Sequence, residues 1–414
     1  MAAPYLVSAT VRSASDASRN GMRHWVTVGS SIYVVLLDGA TFEPTVQKST
    51  DGGQTFAEQD AANRPTNVSV NNNQADVSVT LDGSTLYVAY ARSTDDLTIK
   101  LFDTSTDTWQ ANVAVGGPTV VQAGQTQSYW EVFKRAGDNY IIYYTPGDNT
   151  LVNKTLYARL NSGVWTNDIV VPTAPTNENK PTCAVAGTSG RIHLFYLTQG
   201  APGDFFSLRQ RTLDSSDVLH TEQLIGNAQD IWDLSATGFP SLFGSTIYLI
   251  YSRILTYFPL QYSEVQHVYI ASAESANDPD WTLEQVAYLN PPAYTAGSPD
   301  SDAPAMGAVA LLGTDLYAFW SSPPIVPPSD TRGCFALYSS FRRGGVWRNI
   351  PAIFHSVQRV LQDFAVNFPA MASYPEARVV GSDIGVLFYR PSHNDFNTNC
   401  AFFQLLADAP TFAS

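Results

Sequence analysis

A chain of 414 residues with 21 Tyr, 21 Phe and 8 Trp holds ample material for a large buried core, which excludes a disordered polypeptide. Its 37 carboxylates against 23 lysines and arginines leave a net charge of −14, which repels a phosphate backbone or an anionic membrane surface, so no nucleic acid partner is expected. Cys183, Cys334 and Cys400 are too few and too far apart for a disulfide scaffold or a four-ligand zinc site, and are expected as buried free thiols.

The chain opens "MAAPYLVSATVRSAS", without the basic end and apolar run of a secretory signal. Either the protein is used without the secretory route or a leader has been removed. No apolar stretch approaches membrane-spanning length, so no membrane insertion is expected. Residues 4–12 alternate as a strand does, with no partner strand before them.

From Arg23 onward the chain repeats. Gly or Ser, two polar residues and an apolar run with aromatics recur as "GSSIYVVLLDG", "GSTLYVAYARS", "GDNYIIYYTPG", "SGRIHLFYLTQG", "GSTIYLIYSRI", "GTDLYAFWSSP" and "GSDIGVLFYRP". The first apolar residues are Ile32, Leu86, Tyr140, Ile192, Ile247, Leu316 and Ile384, a period near that of a four-stranded blade with its loops. Each run is preceded across a tight turn by a short apolar strand, such as "HWVTVG" or "PTCAVAG", which makes a hairpin. Each is followed by a third strand, such as "TIKLFD" or "CAFFQLL", and a polar turn ending in an aromatic: Phe56, Trp109, Trp165, Trp281, Trp347 and Phe412. The fourth repeat lacks that aromatic.

The expected fold is all-β: one domain over 1–414, a seven-bladed β-propeller of four-stranded antiparallel blades, with repeats starting near 22, 75, 129, 180, 236, 303 and 368. After the seventh third strand only "ADAPTFAS" remains, too little for a fourth strand, so residues 4–12 are expected to complete the last blade and close the ring.

Residues 49–56, "STDGGQTF", form the first of the polar turns. Their Ser-x-Asp-x-Gly-x-Thr-Phe pattern resembles the Asp-box, or BNR repeat, of the sialidase-like propellers, with every signature position filled. The resemblance covers those eight residues closely and extends loosely to the chain through its repeats. It implies a structural role for Ser49, Asp51, Gly53, Thr55 and Phe56, in a turn away from the active face. Sialidases themselves usually have six blades.

Three features point to the face that carries the loops entering each blade. Six positions after the first apolar residue stand Arg92, Arg253 and Arg390; arginine is the fork suited to carboxylate or sulfate. The resemblance implies an arginine triad that holds an acidic sugar, and the competing expectation is pairing with loop carboxylates such as Asp95, Asp96 and Asp395. Four positions after the same residue lie Leu36, Tyr90, Tyr144, Tyr196, Tyr251, Trp320 and Phe388, whose repetition indicates packing between blades. By the same logic His193, at the place of Tyr33, Tyr87, Tyr248 and Tyr317, is a satisfied core histidine. Finally, the long insertions of repeats five and six, rich in Pro and aromatics and including Tyr257, are expected to wall a groove or dock a partner. Val357, Val360, Leu361 and Phe364 at helical spacing indicate a short helix within 356–367.

An exo-sialidase needs a tyrosine nucleophile, a glutamate, an acid/base carboxylate and three arginines. The family's aromatic-Arg-Ile-Pro opening corresponds here to "GMRHWV", which keeps Arg23 but places His24 and Trp25 where the family has Ile and Pro. Glu131 in "YWEVF" and the group Tyr389, Arg390, His393 and Asp395 are catalytic candidates; the latter loosely resembles the His and Tyr of propeller polysaccharide lyases. "SPDSDAP" lacks regular calcium-ligand spacing, and no metal or cofactor is expected.

The favoured expectation is a non-catalytic glycan-binding, adhesion or virion-surface module, extracellular or virion-associated. It meets acidic carbohydrate or a partner protein on the loop-rich face of blades 5–7, within a larger assembly. Its binding residues are Arg23, Arg92, Arg253, Arg390, Trp130, Tyr257 and Asp395. The alternative is a sialidase-like hydrolase or a polysaccharide lyase acting on acidic glycans.

Overall fold

The computed structural model describes residues 5–11, 23–66, 68, 77–93, 96–114, 117, 130–135, 139–144, 156–170, 179–199, 206–225, 237–254, 264–271, 274–289, 307–322, 336–347, 352–356, 373–391 and 399–408. Apart from single 3-10 turns at Ala61–Asn63 and Leu406–Asp408, every regular element among them is a β-strand. Alternating β-branched and aromatic residues in short runs, broken by glycine turns, leave the chain little other choice.

The described strands pair into seven antiparallel sheets, in which chain order is spatial order except where sheets 6 and 7 depart from it. Sheet 1 holds Trp25–Val28, Ser31–Leu37, Pro44–Ser49 and Ala57–Gln59; sheet 2 holds Val77–Asp82, Thr85–Ala91, Leu97–Asp103 and Thr108–Ala114. The innermost strands of sheets 3 to 7 are Trp130–Lys134, Asn179–Ala186, Thr237–Phe243, Gly307–Leu312 and Ser373–Val380. In sheet 6 the strand Ala336–Arg343 pairs outward with both Val346–Trp347 and Ala352–Ser356. The chain is a β-propeller of four-stranded antiparallel blades. In sheet 7, Tyr5–Val11 pairs antiparallel with Asn399–Leu405, Tyr5 opposite Phe403 and Val11 opposite Asn399. The segment 356–367, read as helical, lies outside the described residues except for Ser356, which ends a strand.

Where its side chains are described, the second strand of a sheet is deeply buried, because it is covered on both faces by neighbouring sheets. Ile32, Leu86, Ile192, Ile247, Leu316 and Ile384 are all buried, as are Leu36, Tyr90, Tyr196, Trp320 and Phe388 four positions on. The side chains of Tyr144 and Tyr251 lie outside the described residues.

Neighbouring sheets are tied near the axis by single hydrogen bonds. The Val79 N–H donates to the Arg23 carbonyl (2.8 Å), Val132 N–H to Ser78 Oγ (3.4 Å) and Ser241 Oγ to the Val309 carbonyl (2.9 Å). Trp25 Nε1 donates to the Glu376 carbonyl across sheets 1 and 7 (3.2 Å).

At the opposite end of the strands, the turn after the third strand of one sheet clasps the sheet before it. Tyr33 of sheet 1 donates to the Thr104 carbonyl and Asp107 of sheet 2, and Arg135 of sheet 3 pairs with Asp217 of sheet 4. Trp281 of sheet 5 meets Phe195 of sheet 4 edge-on, and Trp347 of sheet 6 donates to Glu284 of sheet 5. In the same sense Phe56 of sheet 1 packs edge-on against Phe403 of sheet 7, ring centroids 5.7 Å apart.

Candidate functional site

Innermost strands crowd the axis and favour small or apolar side chains, so a charge there must be matched. Among the described residues, Lys134 pairs with Asp82 where these strands end, and two further ion pairs bear on the site. Arg23 Nε lies 2.5 Å from Oε1 of Glu131, the second residue of Trp130–Lys134, so the pair reaches from sheet 1 to sheet 3 past sheet 2. In sheet 7, Glu376 and Arg378 sit two apart on one strand and therefore share a face; Arg378 Nη2 lies 2.9 Å from Glu376 Oε1. The second oxygen, Glu376 Oε2, accepts the His24 backbone N–H at 2.9 Å and lies 3.8 Å from His24 Nδ1. Glu376 thus ties sheet 7 to sheet 1.

In both pairs the carboxylate is the hidden partner. The Glu131 and Glu376 side chains are 1% and 4% exposed, against 21% and 29% for Arg23 and Arg378. The Arg378 guanidinium also lies over the Trp25 ring, 5.7 Å from its centroid. Desolvation pulls its guanidinium below the ordinary range; Glu376 opposes that shift and the nearby charge of Arg23 adds to it. Two guanidiniums close enough to repel, each held from behind by a buried carboxylate, present positive charge to solvent. Such a surface accepts a carboxylate or sulfate. His24, 7% exposed, completes the group, its ring edge-on to Tyr389 at 5.8 Å.

The sequence expectations divide on this geometry. Arg23 and Glu131 come together. Arg92 instead forms a two-pronged pair with Asp96, the competing partner named from the sequence. Trp130 was expected to meet ligand, but it is fully buried and donates from Nε1 to the Ala89 carbonyl, so its ring has no face left for a sugar. Tyr389 is buried at 6% exposure. The side chains of Arg253 and Arg390, and all of Tyr257, His393 and Asp395, lie outside the described residues. Among the described residues no group of three His, Cys, Asp or Glu is arranged to hold a metal ion, and no helix is long and apolar enough to cross a membrane.

Sequence reasoning missed Glu376, Arg378 and His24. A signal was present in "PEARVV", where two charges two residues apart occupy an innermost strand that reads "VSVTLD" in sheet 2 and "GAVALL" in sheet 6.

The turn at 49–56 is saturated by its own residues. Asp51 Oδ1 accepts from Ser49 Oγ (2.8 Å) and from the N–H groups of Gln54 and Thr55 (3.0 Å each), while Oδ2 accepts from Thr55 Oγ1 (2.5 Å). The Thr55 hydroxyl is the main reason the Asp51 carboxyl falls to about 2. Gly53 adopts φ 93° and lies flat against Phe403, where a Cβ would penetrate the ring. His193 is likewise occupied: Nε2 meets the Glu274 carbonyl at 2.8 Å, and Nδ1 faces Gln210 and Thr212. Burial pulls its imidazole down to about 4, so it is neutral at pH 7.

No protein-family model matches the sequence, and no curated protein matches it. Solved structures do. The BP39L lectin from Burkholderia pseudomallei superposes with a TM-score of 0.58 at 11% identity, over 98% of this chain and 98% of the lectin. A PL25 ulvan lyase, a polysaccharide lyase, superposes with a TM-score of 0.55 at 8% identity, over 99% of this chain and 100% of the lyase. A variant of the NanB sialidase from Streptococcus pneumoniae matches with a TM-score of 0.45 at 11% identity, over 99% of this chain and 72% of its own. At such identities what is shared is the fold.

Proposed function

We propose that the chain is a non-catalytic, glycan-binding propeller that recognises acidic carbohydrate. In this reading residues 1–414 form one domain, its seven sheets are seven blades of one ring, and Tyr5–Val11 closes it. The module serves adhesion or display outside the cell or on a virion. The pairing of Tyr5–Val11 with Asn399–Leu405 and the bonds from Trp25 and His24 to Glu376 support closure.

One observation carries the functional reading: Arg23 and Arg378 reach solvent beside the axis while their carboxylate partners are buried. A sugar carboxylate or sulfate approaching along the axis meets guanidinium N–H groups first. The fold neighbours support carbohydrate as the ligand class, since one is a lectin and the ulvan lyase is described as bound to -[GlcA(1-4)Rha3S]-, an acidic repeat. Against turnover, Glu131 is buried and paired with Arg23, so it is poorly placed as a catalytic acid or base.

The test is retention on a glycan array carrying sialylated, uronic-acid and neutral sugars, combined with an assay for new reducing ends or unsaturated products. Retention of acidic sugars without product is the expected result, with affinity at least about tenfold weaker in Arg378→Gln and partly restored in Arg378→Lys. Product formation would overturn the non-catalytic reading, and absence of retention would overturn the glycan reading.

A further inference from the structure

His24 stands where a single proton changes the charge of the whole site. Its Nδ1 lies 3.8 Å from Glu376 Oε2, an oxygen that already accepts the His24 backbone N–H, while Oε1 accepts from Arg378. Tyr389 of the adjoining strand Asp383–Pro391 borders the imidazole edge-on. Among the described residues, the charged and titratable groups around the ring include Arg23 beside it in sequence, Glu131 of sheet 3, and Glu376, Arg378 and Tyr389 of sheet 7. Among these described groups two guanidiniums offset two carboxylates, and protonation of the imidazole adds one positive charge.

We propose that protonated His24 is a third cation of this site, so that the site grips sulfated or carboxylated sugar more tightly in mildly acidic solution than at neutral pH. This rests on the acidic-glycan reading above. Imidazole is the side chain whose charge changes between pH 5 and 8, and the Glu376 carboxylate, with Oε2 3.8 Å away, is a negative charge that attracts the protonated ring. Protonation draws Glu376 toward His24 and adds one positive charge within the reach of a bound anion. A fully ionised sulfate keeps its own charge across that range, so any gain belongs to the protein.

The experiment measures the affinity of a fluorescently labelled sulfated uronic-acid tetrasaccharide at pH 7.5 and 5.5, at constant ionic strength. One added charge near the anion corresponds to about a fivefold tightening at the lower pH. In His24→Gln, which keeps the backbone N–H to Glu376, that gain shrinks to the part contributed by the other histidines. In His24→Lys, whose charge is permanent, the gain between the two pH values shrinks to the same remainder. Equal gains in wild type and both variants would overturn the assignment to His24 while leaving glycan binding intact. No binding at either pH would overturn the acidic-glycan reading and this inference with it.

Discussion

At the Ser49–Phe56 turn, Asp51 directs its oxygens to a backbone and hydroxyls within four residues of itself. Glu376, on an innermost strand, directs its oxygens to a guanidinium on its own strand and to a backbone N–H on the far side of the sheet 7–sheet 1 seam. The local carboxylate shapes a turn and leaves nothing over for a ligand. The distant one neutralises a cation from behind and leaves that cation's outer edge in reach of solvent. The same chemical group is masonry in one place and the support of a candidate site in the other, and the difference is the sequence separation of its partners.

That comparison breaks most sharply at Glu376. Glu376→Ala leaves Arg378 without its carboxylate and the His24 N–H without its acceptor, and removing one partner of a buried pair costs about 3–5 kcal/mol. Urea denaturation is expected to show a midpoint far below wild type. A change of under about 0.5 kcal/mol, the scale of an exposed pair, would show that solvent rather than Glu376 satisfies Arg378.

A middle-sized effect is expected at Gly53, where the turn touches sheet 7. Its φ of 93° is strained for any residue with a Cβ, and that Cβ would meet the Phe403 ring. Gly53→Ala is expected to cost about 2 kcal/mol, read as a lowered thermal midpoint, with the Phe403 ring forced to shift. Gly52→Ala separates the two causes, since φ there is 78° but nothing lies near its Cβ. Equal losses in the two variants would assign the whole effect to backbone strain.

Much of the fold was legible because its information is local and repeated. The seven apolar runs each need the same neighbours, and the turn residues between them recur at fixed places. What escaped was information that exists only between sheets. Gly385 stands where other repeats have Tyr33, Tyr87 or Tyr317, and read alone it is a gap. In the structure it makes room for Phe403, which comes from the next strand and also contacts Trp25, Phe56 and Gly53. The arginines show the same limit. The spacing that singled out Arg92 could not reveal that Asp96, four residues on, returns across the loop to hold it, and Arg378 fell outside any repeated position.

The smallest expected effect sharpens the local side of the comparison. Asp51 has a folded-state carboxyl at about 2 against an ordinary 3.8, and the first cause is the Thr55 hydroxyl. Because the folded value is depressed, the unfolded chain binds the proton more readily between those limits. Its contribution to stability is therefore complete above pH 3.8 and is lost as pH falls toward 2. Thr55→Val removes the strongest of these bonds and keeps the shape, so thermal midpoints at pH 7 are expected to drop by about 2–4 °C. The acid limb is expected to shorten as well, because the Asp51 carboxyl then lies closer to its ordinary value. Glycan retention at neutral pH should not change with this substitution, since none of the Asp51 hydrogen bonds involves a residue of the Arg23–Arg378 group. If retention fell together with the midpoint, the division between a structural carboxylate and a site-supporting one would be lost.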